Sequence, residues 1–288
     1  MSNGIELISK LGIGTVQFGL DYGITNRVGR TSLSEVTEIL NIATLNGVEL
    51  LDTAQSYGLS ETVLGKTHQN RFKIVTKLDL SNLNSSTLAD VLNPSLNKLG
   101  LKSIYGVLFH DTQEALKHPG ILAVVKELKT QGLIKKIGFS VYETSEIVEI
   151  QRKFGQPDIV QIPFSHVDRR FEDIAIKLKS SGVEIHSRST FLQGLLLRNW
   201  QENLHSFFES ISSYIEDFCS VTDSENERAQ ILLKYSLSRS FIDYVIIGVN
   251  TKEQLLENLQ LTSADLTKLP VIPQKFESAI LRPFLWPK

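Results

Sequence analysis

Short runs of apolar, largely β-branched residues recur along the chain. Longer stretches, with apolar residues spaced three and four apart, separate them. The runs are Leu11–Thr15, Val48–Asp52, Lys73–Lys77, Tyr105–His110, Ile134–Ser140, Asp158–Ile162, Val183–Ser187 and Tyr244–Gly248. Several are nearly continuous in apolar residues, as expected of strands in a parallel sheet covered on its outer face. The intervening stretches predict helices over Ser34–Asn46, Ser86–Leu99, Ile121–Thr130, Thr144–Phe154, Phe171–Ser181 and Lys252–Leu261. Ser34 and Thr251 stand where N-caps belong, and Gly47, Gly100, Gly132, Gly155 and Gly182 stand just past helix ends or before the next strand. Pro94 interrupts its helix as a kink or a break.

Eight repeats of strand, helix and glycine stop read as an α/β chain closed into a (β/α)8 TIM barrel, a single domain over residues 1–288. One stretch departs from the period. Residues 188–222 are too long for an ordinary βα loop. They hold FLQGLLLRNW and an aromatic-rich, helical-looking piece around Phe207–Phe218, and are expected to form a loop excursion on the C-terminal face. The tail, with Pro270, Pro273, Pro283 and Pro287, is expected to pack irregularly on the barrel.

Composition narrows the function classes. Net charge is −2 and the pI about 6.3, which gives no electrostatic footprint for nucleic acid or anionic lipid. Cys219 is the only cysteine, so an intramolecular disulfide and a cysteine metal site are excluded. The histidines include no H-x-x-x-H pair, and no metal is expected. No apolar run approaches the roughly 20 residues of a membrane span. MSNGIELISK lacks the pattern of a secretory leader, so the expected location is the cytoplasm. Gly65-Lys66-Thr67 resembles the end of a phosphate loop, but the glycine required five residues earlier is Ser60.

Asp52, Lys77 and His110 end three consecutive predicted strands, and Tyr57 lies five residues beyond Asp52. Singly, each has a plain reading: a cap, a surface lysine, a core histidine, a rim aromatic. Jointly they do not, because residues at the C-terminal ends of barrel strands face one mouth, and burying lysine or aspartate without a partner is costly. The four types form a proton-transfer set. An ammonium lowers a phenol's pKa from about 10, a carboxylate holds the ammonium, and an imidazole orients a carbonyl oxygen.

The run D-T-A-x-x-Y-G-x-S-E-x-x-L-G at Asp52–Gly65, together with LGIGT and IIGVNTKEQLLENL, resembles the aldo-keto reductase family over nearly the whole chain. The resemblance implies a (β/α)8 barrel that binds NAD(P)H and reduces carbonyl compounds reversibly. It makes Tyr57 the general acid, with Lys77 depressing its pKa, Asp52 holding Lys77 and His110 positioning the carbonyl. It also implies cofactor contacts from Gly14, Thr15, Asp52, Ser140 and Gln161. The family commonly has asparagine where this chain has Val141, and an aromatic at the end of the seventh strand, where His186 and Arg188 stand. Either could cover the nicotinamide. Gly248, Asn250, Gln254 and Asn258 fall where the family binds the adenosine end. NADP(H) is favoured by family habit, with NAD(H) as the alternative, since Gly248 and Gln254 replace frequently basic residues and leave Lys252 as the nearest cation.

The expected partner is a small carbonyl compound. The polar loop over residues 19–34, with Asp21, Tyr22, Asn26, Arg27 and Arg30, points to a sugar-type substrate. Trp200, Phe207 and Phe208 either line its pocket or simply pack. Two further readings stay open: a Schiff-base lyase with Lys77 as nucleophile, and a cofactor-sensing binding subunit.

Overall fold

The computed structural model describes residues 6–23, 26, 28–80, 88–199, 205–261, 264–273 and 276–287, with side chains described from 91 onward in the helix that begins at Leu88. Its eight strands are β1 (Leu11–Gly14), β2 (Leu50–Asp52), β3 (Lys73–Leu78), β4 (Ile104–Phe109), β5 (Ile134–Ser140), β6 (Ile159–Pro163), β7 (Glu184–Arg188) and β8 (Tyr244–Gly248). They pair in parallel, in sequence order, and close into a barrel through β1 and β8. All eight predicted strands are present, shifted at some ends by a residue or two. The barrel interior carries an apolar layer of Leu50, Val75, Leu108, Ile159 and Ile246. Gly12 makes room for it, since a Cβ there would lie 2.5 Å from Ile246.

The helices are α1 (Val16–Gly19), α2 (Leu33–Leu45), α3 (Ser60–Thr67), α4 (Leu88–Leu99), α5 (Thr112–Lys117), α6 (Pro119–Thr130), α7 (Thr144–Lys153), α8 (Glu172–Ser180), α9 (Glu209–Val221), α10 (Glu225–Leu237) and α11 (Lys252–Asn258). Helix α2 is capped by Ser32, whose hydroxyl accepts from the Glu35 amide at 3.2 Å, and not by Ser34. The cap moves because the helix already begins at Leu33, inside which Ser34 has no orphan amide to meet. Thr251 caps α11 as expected, accepting from the Gln254 amide. Helix α4 runs through Pro94 unbroken, while Ser86, expected to begin it, lies outside the described residues.

The excursion after β7 is largely helical. Its residues Leu192, Leu195, Leu196, Ile211, Tyr214 and Phe218 form a second core with Ile231 and Leu232 of α10 and with Ile280, Leu281 and Trp286 of the tail. Helix α10 has no counterpart among the predicted elements. It is buried from Arg228 through Leu237 on nearly every side, between this second core and the barrel, so it lacks the one-sided stripe by which an amphipathic helix is recognised. The tail, expected to pack irregularly on the barrel, makes short 3-10 turns at Leu266–Lys268, Ser278–Leu281 and Pro283–Leu285, and its Ile280, Leu281 and Trp286 pack into the second core. Among the described residues, no helix is long and apolar enough to cross a membrane.

Candidate active site

A cavity of about 850 Å³ opens at the C-terminal mouth of the barrel. Asp52, Tyr57, Lys77 and His110 all line it. Strand β2 ends at Asp52, and the following loop is fastened to its neighbours. The Thr53 amide donates to the Val75 carbonyl at 2.8 Å, and the Gln55 amide to the Lys77 carbonyl at 3.0 Å. The Gln55 side chain donates to the Val91 carbonyl at 3.1 Å and to the Ser95 hydroxyl at 2.9 Å. Across from this loop, helix α1 approaches so closely that a Cβ on Gly19 would lie 1.8 Å from the Tyr57 carbonyl oxygen. Tyr57 is thereby held in a turn with little freedom.

Lys77 is 1% exposed and forms a salt bridge with Asp52 Oδ2. The other carboxylate oxygen accepts from Gln161 Nε2 at 2.8 Å. The Lys77 ammonium lies 5.2 Å from the centre of the Tyr57 ring, close enough for its charge to act on the hydroxyl. Burial lowers the Lys77 pKa, but Asp52 and Tyr57 outweigh it, and the net shift is upward. Lys77 therefore stays a cation.

Tyr57 departs from the expectation of a lowered pKa. Burial of its hydroxyl is the largest influence and raises the pKa; the Lys77 ammonium offsets it only in part. The hydroxyl is a protonated donor at neutral pH. His110 is shifted the other way, to about 4, by burial and by the Lys77 charge. Its ring is neutral at neutral pH. Its Nδ1 shares a hydrogen bond with the Ser56 hydroxyl at 3.1 Å. The His110 and Tyr57 rings lie edge to face, 5.8 Å apart.

The other expected positions divide. Gly14, Thr15, Ser140, Gln161, Arg188, Gly248, Asn250, Gln254 and Asn258 line the same cavity. The Thr15 hydroxyl is committed to the Asp52 carbonyl at 3.1 Å and to Ser60 at 2.8 Å, so it braces the floor. His186 does not reach the cavity. It shares the inward face of β7 with Arg188 but lies two residues deeper, bonded to Glu184 at 2.7 Å and edge-on to Tyr244. Arg188 alone of that pair reaches the mouth. Tyr22 and Asn26 line the cavity, whereas Arg30 is exposed outside it and Arg27 lies outside the described residues. Phe207 and Phe208 pack at the second core, Phe208 4.9 Å from the Trp286 ring; Trp200 lies outside the described residues.

Sequence reasoning missed Gln17, Tyr142, Glu225, Asn226 and Phe284, all of which line the cavity. Tyr142 follows the end of β5 and was within reach of the strand-end rule. Glu225 and Asn226 open the unrecognised α10, and Phe284 arrives from the tail with no local signal. The cavity also presents two buried acceptors without partners, Gln161 Oε1 and Gln17 Oε1. A carboxamide or ribose hydroxyl is the kind of donor they lack, so these residues fit a nicotinamide dinucleotide. Among the described residues no cluster of side chains is arranged to hold a metal.

The fold recurs in solved structures of other proteins, two among them at 16% and 19% identity. The aldo-keto reductase AKR11C1 from Bacillus halodurans, in its holo form, is 19% identical, with a TM-score of 0.69 over 92% of this chain and 94% of that one. The glycerol dehydrogenase AKR11B4 from Gluconobacter oxydans is 16% identical, with a TM-score of 0.66 over 88% and 86%. The model of the aldo/keto reductase family matches residues 10–270, which is most of the sequence, and the chain belongs to that family.

Proposed function

We propose that this chain reduces an aldehyde or ketone with Tyr57 as general acid and a nicotinamide dinucleotide as reductant. The observation that carries the reading is Tyr57 with its ring 5.2 Å from a buried, Asp52-paired ammonium, in a cavity large enough for substrate and dinucleotide together. The dinucleotide, when bound, supplies a hydride to the carbonyl carbon. Gln161 and Ser140 would hold its carboxamide, and Gly248, Asn250, Gln254 and Asn258 its adenosine end.

The chain's own residues supply the rest. His110, neutral, donates an N–H to the carbonyl oxygen and fixes its direction. Tyr57, kept protonated by burial, gives its proton to that oxygen as negative charge develops there. Lys77 stabilises the resulting phenolate, and Asp52 keeps Lys77 charged and aimed. A raised phenol pKa suits reduction better than alcohol oxidation, for which Tyr57 would have to start as a base.

The cations lining the cavity, among the described residues, are Lys77 and Arg188; Glu225 and Glu257 also line it, and Lys252 does not. The family habit of NADP(H) thus gains no partner for a 2′-phosphate beside α11, and NAD(H) matches this wall better. The lyase alternative fares poorly, because Lys77 is held protonated by Asp52 and a Schiff base requires a neutral amine. The sugar-type substrate retains Tyr22 and Asn26 as polar contacts.

The Tyr57→Phe variant tests the assignment. Turnover is expected to fall at least about 100-fold while reduced-dinucleotide affinity, read by nicotinamide fluorescence, is retained. Undiminished turnover would remove Tyr57 as the acid.

A further inference from the structure

The catalytic group is close to self-neutral, since Lys77 is paired with Asp52 and His110 is uncharged at neutral pH. Arg188 is different. Arg188 lines the same cavity. It donates to the Val141 carbonyl at 3.0 Å and to the Ser189 hydroxyl at 3.3 Å. Among the described residues no carboxylate pairs with it. A guanidinium at a cavity wall with no carboxylate paired to it is a standing site for an oxyanion.

The cation is also held in place. Its carbon lies 4.1 Å from the centre of the Tyr142 ring. Tyr142 is fixed in turn: its amide donates to Glu146 at 2.6 Å, and its carbonyl accepts from Arg170 at 3.4 Å. Directly after Arg188 the backbone turns left-handed at Ser189, with φ of +67°, a strained conformation for a residue other than glycine. The charge of Arg188 acts on Tyr57 and Tyr22, where it opposes in part the rise caused by burial, and on His110, where it adds to the fall, so it is felt at the point of proton donation.

We infer that Arg188 binds a carboxylate carried by the carbonyl substrate, so that the preferred substrates are oxo acids rather than neutral aldehydes or ketones. The inference rests on the reductase reading and sharpens it. One guanidinium balances one carboxylate; a phosphate dianion would call for a second cation, and Lys77 is already spoken for by Asp52. The rival role for Arg188, covering the nicotinamide, opposes the chemistry. An oxidised nicotinamide is cationic, and a second cation laid on it disfavours hydride donation unless an anion stands between them.

The test compares succinic semialdehyde with its methyl ester, and glyceraldehyde 3-phosphate with glyceraldehyde. Alongside, succinate binding is measured by calorimetry on the protein saturated with reduced dinucleotide. The expected result is a kcat/KM about tenfold higher for the acid than for the ester, a ratio that Arg188→Gln brings towards one, chiefly through KM. Arg188→Gln should weaken succinate binding by about tenfold, and Arg188→Lys should keep part of it. Four results would overturn the inference: an ester reduced as well as the acid, a larger gain from the phosphate than from the carboxylate, succinate binding unmoved in Arg188→Gln, or dinucleotide binding weakened as much as succinate binding. If neither compound is turned over, the calorimetric arm decides alone. The reductase reading fails separately, if Tyr57→Phe reduces the ester at the parental rate.

Discussion

At the scale of single residues, the site depends on compensated burial. Lys77 and Asp52 are each nearly inaccessible, and each is tolerable only because of the other. Replacing Asp52 by Asn keeps the bond from Gln161 within reach but leaves the ammonium without its counter-charge. The expected cost is about 3 kcal/mol, read by urea denaturation, with part of it recovered when Lys77→Met is added. A parental midpoint in Asp52→Asn would show that the pair contributes nothing. The histidines set an acid limit. Burial, the largest influence on both, holds His110 and His166 at about 4 in the folded chain, against about 6.5 when unfolded. Between those values the unfolded chain binds more protons, so stability falls as pH drops through that window and is unaffected by these groups above it. The thermal midpoint is expected to decline from pH 7 to pH 5, and His166→Gln to flatten the decline. A flat profile in the parent protein would contradict this.

At the scale of elements, positioning comes from close approach of backbone segments. Gly19, in α1, lies against the turn that carries Tyr57, with no space for a methyl group. The Gly19→Ala variant must push that turn away. It is expected to lose about 1–3 kcal/mol of stability, and a displacement of about 1 Å at the acid is enough to lower kcat roughly 100-fold. Thermal denaturation and steady-state kinetics on the same preparation separate the two effects; a variant that loses stability but not kcat would show that the turn re-forms. The strand ends and the first turns after them were legible because period-two and period-3.6 patterns are local properties. The Ser32 cap lies two residues before the one expected. Helix α10 was invisible because tertiary burial on several sides erases the local asymmetry that marks a surface helix.

At the scale of the whole molecule, the excursion after β7 and the tail form one packed unit beside the barrel, and that unit contributes Gln193 and Phe284 to the cavity wall. Gln193 donates to the Tyr22 hydroxyl at 2.9 Å, joining the unit to the loop after β1. Ile280 is fully buried in the second core. Ile280→Ala is expected to cost about 2–4 kcal/mol by leaving a cavity there. Dinucleotide affinity, measured by fluorescence titration, should fall with it, because the same core supports the residues that roof the site. An affinity unchanged in a destabilised variant would separate the core from the site.

The sequence by itself determined the eight strands, the barrel they close, and the four residues that stand together at its mouth. Asp52, Lys77 and His110 follow from where apolar runs end, Tyr57 from the loop behind the first of them, and a strand end is a local fact. Only the tertiary structure decided that Arg188 and not His186 faces the cavity, that Tyr57 is raised rather than lowered in pKa, and that a tail phenylalanine helps line the site. Depth, desolvation and the meeting of segments remote in the chain arise from how the elements pack, and no stretch of sequence carries them on its own.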